Sequence, residues 1–253
     1  WDNVKISGFV MANKGEKISK SKGNSKVEPL DLIKQFSADV VRYWAASGRL
    51  GTDITFSEET LLRGKKLVNK IWNVSKFVQM HLEDYQDKVF DDFEYIDKWI
   101  LGNFIDMEKE YLKYLDNYEI GLALNILEKF FWNFCDNYIE IVKHRLYRPE
   151  EFGEKARYSG QKTIYILLYK LLQDFSIYFP FITEDIYQEL YHDNKSIHLT
   201  EITLLPYKFT NEINLLLKIW KIVKSGFDCI KLIIAFAQKS TGANSVECFL
   251  KPF

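Results

Sequence analysis

The chain has 253 residues, a formal net charge of −1, 47% hydrophobic and 27% charged side chains. These values describe a folded globular protein with room for one or two cores, and exclude both a disordered tract and a uniformly basic, histone-like surface. Any binding to nucleic acid must come from local clusters of Lys and Arg, while a 16% aromatic content supplies large rings for packing and recognition.

The opening run "VKISGFVMAN" is rich in β-formers and is followed by Asn13, Lys14 and Gly15, which predicts a short strand running into a turn. It lacks the basic-then-apolar pattern of a signal peptide, and it begins with Trp1, as an excised piece of a longer chain would. A loop, "KISKSKGN", follows at 17–24. Pro29 opens a short helix through "LDLIKQF", and a second, "ADVVRYWAAS", ends near Gly48. The connector "LGTDITFSEE" then delivers Ser57 as an N-cap, with Glu58 and Glu59 in the first turn, where the helix dipole favours them.

Long helical patterns come next. In 58–82, Leu61, Val68, Ile71, Trp72, Val78 and Leu82 recur at helical spacing, with Lys65, Lys66, Lys70 and Lys76 on other faces. An acidic linker, "EDYQDKVFDDFEYID", leads to a helix over 97–117. A further helix over 119–147 carries Leu124, Leu127, Phe131, Phe134, Tyr138 and Val142 on one stripe and stops at Pro149. The segment "RPEEFGEKARYSG" reads as a polar loop, 161–179 as a helix ending at Pro180, and "TEDIYQELY" as another capped by Thr183. After Pro206 a helix over 211–225 and a strand-like end over 241–253 are expected. The fold class is therefore mainly α, a bundle of four or five long amphipathic helices, with a small α/β piece at 209–253.

Cys135, Cys229 and Cys248 are scattered and the four histidines are isolated, so neither a zinc site nor a disulfide framework is indicated, and a reducing, cytoplasmic setting is expected. The apolar run "IIAFA" is too short to span a bilayer, so no membrane insertion is expected. The chemistry centres on the loop. Lys17 and Lys20 flank Ser19, with Ser21 beyond, between Gly15 and Gly23. Two ammonium groups and two hydroxyls can meet a polyphosphate and neutralise charge as a phosphoanhydride breaks. The same residues also suit an ordinary solvated turn.

"KISKSKGN", Pro29 and "LIKQFSADVVRYWAAS", taken together, resemble the second signature of class I aminoacyl-tRNA synthetases, commonly written K-M-S-K-S, with Ile18 in place of Met. Downstream, "GTDITFSEETLLRGKKLVNKIWNVSKFV", "FWNFCDNYIEIVKHRLY", "FPFITEDIYQEL" and "SIHLTE" resemble the valyl subgroup of class Ia. The isoleucyl subgroup is the nearer alternative, and a helical adaptor module without catalytic ancestry the more distant one. The resemblance implies that 1–50 is the end of a Rossmann catalytic domain with its connecting helices, 51–208 an anticodon-binding bundle, and 209–253 an appendage. It implies an enzyme that joins valine to tRNA(Val) using ATP with Mg2+, acting as a monomer. Lys17 and Lys20 would be catalytic, and Lys17, Ser19, Lys20 and Ser21 would bind ATP. The other class I signature, H-I-G-H, is absent, so the isolated chain is expected to be inactive.

Candidate RNA contacts lie in the bundle. Arg63, Lys66 and Lys70 share a helical ridge with Asn73 a turn further on, able to track phosphates, or else a solvated face balancing the acidic linker. Lys143, His144, Arg145 and Arg148 cluster near a helix C-terminus, where the macrodipole alone favours cations. Trp132, in a crowded aromatic stretch, could stack on a base or pack in the core.

Overall fold

Backbone pairing ties the start of the chain to the first long helix. In the computed structural model, which describes residues 2–13, 15–24, 28–191 and 195–209, strand β1 (Val10–Asn13) pairs antiparallel with β2 (Glu16–Lys17). On its other side β1 pairs parallel with β3 (Ile54–Thr55), with Val10 opposite Ile54 and Met11 opposite Thr55. The helix expected over 211–225 and the strand-like run over 241–253 lie outside the described residues.

Two short helices, α1 (Pro29–Phe36) and α2 (Ala38–Ala46), fill the crossover between β1 and β3. Helix α3 (Glu58–His81) starts where expected: Ser57 Oγ accepts the Thr60 amide at 3.2 Å, and Glu58 and Glu59 occupy the first turn. Its apolar face buries Leu61, Leu67, Ile71 and Val78. Trp72 is a correction. It lies 38% exposed on the outer face, with Lys76 Nζ 4.7 Å from its ring centroid, because it is one residue past the buried stripe at Ile71.

The remaining described helices are α4 (Tyr95–Asp116), α5 (Ile120–Asn133), α6 (Ile139–Tyr147), α7 (Pro149–Phe152), α8 (Glu154–Phe175) and α9 (Pro180–Tyr191). Between α5 and α6 the backbone widens into a π-turn, Phe134–Tyr138, rather than breaking. The whole predicted stripe from Leu124 to Val142 is buried against α4 and α8.

The 148–160 segment is not a loop. It is α7 and the first turns of α8: Arg148, Glu150, Glu151, Glu154 and Lys155 stay exposed, while Arg157, Tyr158 and Ser159 turn to partners. Arg157 grips Asp84 through Nη1 and Nη2 at 2.5 and 2.9 Å, Gln161 reaches Asp84 at 2.8 Å, and Lys162 pairs with Asp87. The acidic linker is thereby fastened along α8, and Tyr85 stacks on Tyr158 at 5.6 Å. Thr183 is a second correction. It is fully buried inside α9, its hydroxyl donating to the Phe179 carbonyl at 2.8 Å, and the N-terminal amides of that helix are capped from outside. Asp39 of α2 accepts the amides of Phe181 at 3.1 Å and Ile182 at 2.9 Å.

Buried charge organises the bundle interior. The Asp97 carboxylate accepts from Tyr138 Oη at 2.6 Å, from Arg145 and from Ser159 Oγ. Removing one partner of such a buried pair costs roughly 3–5 kcal/mol, since the other charge is left uncompensated. Near the other end of α4, Lys170 lies 2.7 Å from the fully buried Glu108 and donates to the Thr203 carbonyl at 2.6 Å. One turn along α8, both carboxyl oxygens of Asp174 are buried without a hydrogen-bond partner. Burial, then the neighbouring Glu108 charge, raises the Asp174 pKa well above the usual carboxylate range, with Lys170 opposing.

The native state therefore holds a proton on Asp174 at pH values where the unfolded chain has released it. That contribution is full below the ordinary carboxylate pKa and is lost as pH rises toward the raised value. In urea unfolding, stability should fall with rising pH above the usual carboxylate range by at most about 1.4 kcal/mol per pH unit from this group. Asp174→Asn should flatten that slope; an unchanged slope refutes the assignment.

Candidate functional site

The hairpin that carries the lysines is closed by one side chain. Asn24 accepts the Ser19 amide on Oδ1 at 2.8 Å, and donates through Nδ2 to Glu16 Oε1 at 2.9 Å and to the Lys17 carbonyl at 3.0 Å. Gly23, at φ 60°, lets the chain turn back so that Asn24 can reach across. The Ser19 and Ser21 hydroxyls meet at 2.9 Å, and Lys20–Lys22 form a single 3-10 turn closed by the Lys22 amide on the Ser19 carbonyl at 3.2 Å. Lys17 is exposed, with Nζ 3.5 Å from the centroid of Phe9. The structure thus brings Lys17, Ser19 and Ser21 onto one small, solvent-facing hairpin and sets Lys20 in its turn. Sequence reasoning treated Asn24 only as part of a motif; its role as a clasp has no signal in periodicity or charge.

The hairpin is fixed to the bundle. The Ile54 amide donates to the Phe9 carbonyl at 2.8 Å, the Phe56 amide to Met11 at 3.1 Å, and the Phe9 amide to Asp53 Oδ1 at 2.8 Å. One residue beyond Phe56 stands Ser57, the cap of α3. From α2, Arg42 donates to the Ile177 carbonyl at 2.8 Å, which adds to the Asp39 cap on α9.

The predicted ridge on α3 exists, and its members differ. Lys66 and Asn73 are exposed. Arg63 is paired with Glu128 of α5, and Lys70 lies 3.2 Å from Asp136 and 5.7 Å from the ring centroid of Trp132. Trp132 is half-buried, one edge against Phe131 at 6.1 Å between centroids. Of the four ridge residues, Lys70 lies beside an aromatic ring, that of Trp132, while Arg63 ties the ridge to α5 through Glu128.

A second group surrounds a cleft of about 500 Å³ between α3 and α6, lined among others by Phe77, Lys143, His144, Tyr147 and Arg148. Tyr147 is 55% exposed and packs edge-on against His81 at 4.5 Å, which in turn meets Phe77 at 4.6 Å. Burial, then the Arg157 charge, lowers the His81 pKa, so this ring is a neutral packing surface. Lys143 pairs with Glu140, and Arg148 lies 3.5 Å from Glu151. Arg145 does not join them. It was expected as a surface cation, but it is 8% exposed and turned inward to Asp97, one helical step away from the outward face of Lys143 and Tyr147. Burial works against its charge and the Asp97 carboxylate more than offsets this, so its pKa is raised.

A bundle with a basic and aromatic flank, hydrogen-bonded to a lysine hairpin, matches a known architecture. The chain belongs to the family of anticodon-binding domains of tRNA ligases, whose model matches residues 97–244, and a second model, tRNA synthetases class I (I, L, M and V), matches residues 1–57. Among individual proteins it is similar to valine–tRNA ligases. It is 43% identical over 208 residues to that of Rickettsia felis, covering 78% of this chain and 24% of the relative. It is 42% identical over 209 residues to that of Rickettsia prowazekii, covering 79% of this chain and 25% of the relative. It is 41% identical over 203 residues to that of Ehrlichia canis, covering 78% and 25%. The chain thus spans about a quarter of the length of the curated relatives it matches.

Among solved structures, the fold resembles methionyl-tRNA synthetase of Mycobacterium tuberculosis bound by methionyl-adenylate, with TM-score 0.57 and 19% identity over 79% of this chain and 42% of that one. It also resembles the LeuRS of Agrobacterium radiobacter in a ternary complex with tRNA and LeuAMS, with TM-score 0.55 and 15% identity over 76% and 23% of the two chains. At these identities the likeness is one of fold.

The clasp is open to a direct test. Asn24→Ala should let the Ser19 and Lys22 amides exchange with solvent roughly tenfold faster, the equivalent of about 1.4 kcal/mol of lost hydrogen bonding, while thermal unfolding of the bundle stays unchanged. Hydrogen exchange read by mass spectrometry decides it, and unaltered loop exchange refutes the clasp.

Proposed function

We propose that the chain is the C-terminal part of a valine–tRNA ligase, with 1–50 closing the catalytic domain, 51–208 binding the anticodon region of tRNA(Val), and 209–253 an appendage. The observation that carries this reading is the union, in one hydrogen-bonded unit, of a lysine hairpin and an anticodon-binding bundle. Identities of 41–43% to valine–tRNA ligases support the choice of amino acid. In the complete enzyme the valine carboxylate would attack the α-phosphorus of ATP, the bond to pyrophosphate would break, and tRNA would then take the valyl group from the adenylate.

Lys17 and Lys20 would neutralise charge building on the departing pyrophosphate, and Ser19 and Ser21 would shape the loop or donate hydrogen bonds to the phosphates. Among the described residues no group of three or more His, Cys, Asp or Glu side chains converges, so the Mg2+ expected with ATP is assigned no ligand from this chain. A monomeric state and a cytoplasmic setting belong to the same reading.

RNA would lie along α3. Lys66, Asn73 and Lys70 beside Trp132 suit a phosphate-tracking strip, and the cleft under Tyr147, ringed by Lys143, His144 and Arg148, suits one unstacked base.

Two measurements test this. In the full-length enzyme Lys20→Ala should slow pre-steady-state adenylate formation by roughly 10²–10³, the scale of one preorganised transition-state donor, whereas the isolated chain should show no valine-dependent ATP–pyrophosphate exchange. An unchanged rate overturns the loop assignment, and exchange by the isolated chain overturns the reading of it as an incomplete part of the catalytic machinery. For the bundle, Tyr147→Ala should weaken binding of an anticodon stem-loop RNA by about 1–3 kcal/mol with the salt slope retained, as loss of one stacking face predicts. Wild-type affinity in that variant refutes the base-stacking cleft.

A further inference from the structure

Arg63 stands apart from the other cations of the ridge. Its side chain is 59% exposed, yet the carboxylate it pairs with, Glu128, is only 4% exposed. Glu128 has two ligands on two different helices. Oε2 accepts from Arg63 Nη2 on α3, and Oε1 accepts from Tyr43 Oη on α2 at 2.6 Å. Tyr43 is itself immobilised: it is 1% exposed and stacks on Phe179 at 5.4 Å between centroids. Helix α3 can press this closely because residue 64 is glycine, where a Cβ would come within 2.6 Å of the Tyr43 ring. The carboxylate is thus oriented from within the protein, and it orients the guanidinium in turn.

A guanidinium carries five N–H donors in a fixed fork. Pairing through Nη2 occupies only part of that fork, and more than half of the side chain stays exposed on the ridge, one helical turn from the exposed Lys66. An unrestrained arginine loses rotamer freedom when it binds an anion, and fixing it beforehand removes part of that cost. We propose that Glu128 is a positioning residue for RNA, holding Arg63 so that Arg63 and Lys66 meet neighbouring backbone phosphates, with Tyr43 of the connecting helix setting Glu128. The inference rests on the reading of the bundle as an RNA-binding domain. It extends the site inward to a buried acid and to α2, which touch no RNA themselves.

The sign of one substitution separates positioning from simple electrostatics. Replacing an acid with a neutral residue ordinarily tightens RNA binding, because a repulsive charge is removed. If Glu128 acts by positioning Arg63, Glu128→Gln instead weakens it. The test titrates an anticodon stem-loop RNA into the wild-type chain, Glu128→Gln, Arg63→Gln and the double variant, at several salt concentrations, with circular dichroism confirming the fold. We expect Arg63→Gln to lose about tenfold in affinity and to reduce the salt slope by about one, as loss of a phosphate contact does. Glu128→Gln should lose roughly fivefold, and the double variant should match Arg63→Gln, since the acid acts only through the arginine.

If Glu128→Gln melts the junction, Tyr43→Phe carries the same test, because it keeps the ring and frees the carboxylate; affinity should again fall. Equal or tighter binding by Glu128→Gln, or by Tyr43→Phe where that variant is used, or additive effects in the double variant, overturns the inference while leaving RNA binding intact. No RNA binding by the wild-type chain overturns the underlying reading, and the inference with it.

Discussion

Everything in the bundle is arranged around the carboxylate of Asp97. It lies at the start of α4 with no solvent exposure, and it is bound by a tyrosine from the π-turn, an arginine from α6 and a serine from α8. A carboxyl group buried in that position is tolerable only when its hydrogen-bonding capacity is filled, so three separate stretches of chain must converge on it. The aromatic and aliphatic side chains around it are interchangeable within limits of volume; this polar node is not. It fixes how α4, α6 and α8 are rotated about their axes, and so it decides that Lys143, His144 and Tyr147 face outward into the cleft.

A second set of polar contacts joins that bundle to what precedes it. The strand leading out of the lysine hairpin pairs with the strand that feeds α3, while α2 caps α9 and reaches α5 through the buried Glu128. These are directional hydrogen bonds, the Tyr43–Glu128 one buried and the others part-buried or exposed, and they link the hairpin to the ridge on α3. Neutral apolar contacts could hold the two parts together, but directional bonds also set their relative orientation.

Much of this was legible beforehand. The stripe from Leu124 to Val142 predicted the buried face of two helices correctly, because apolar side chains every three or four residues have few other arrangements available. Ser57 announced the start of α3 for an equally local reason. The errors share a cause. Residues 148–160 looked like a loop because periodicity counts apolar residues, and Arg157 and Ser159 are polar residues that are satisfied by distant partners. Arg145 looked like a surface cation because nothing local reveals an aspartate 48 positions earlier. Thr183 looked like a cap because the cap in use belongs to Asp39, 142 and 143 positions before the amides it serves. The loop motif was visible in sequence, while the Asn24 clasp that closes it required the hairpin's geometry.

The π-turn between α5 and α6 has a consequence for how the chain can vary in length. A π-turn accommodates one more residue than the α-helix it interrupts while leaving the downstream helix in nearly the same phase. Elsewhere along this run a one-residue deletion would rotate α6 by about 100° and swing Arg145 away from Asp97. Within Phe134–Tyr138 it would convert the wide turn to a regular one and leave the ion pair facing inward. That short stretch is the slack in the bundle, the place where its helical run from α5 to α6 can lose a residue without losing its register.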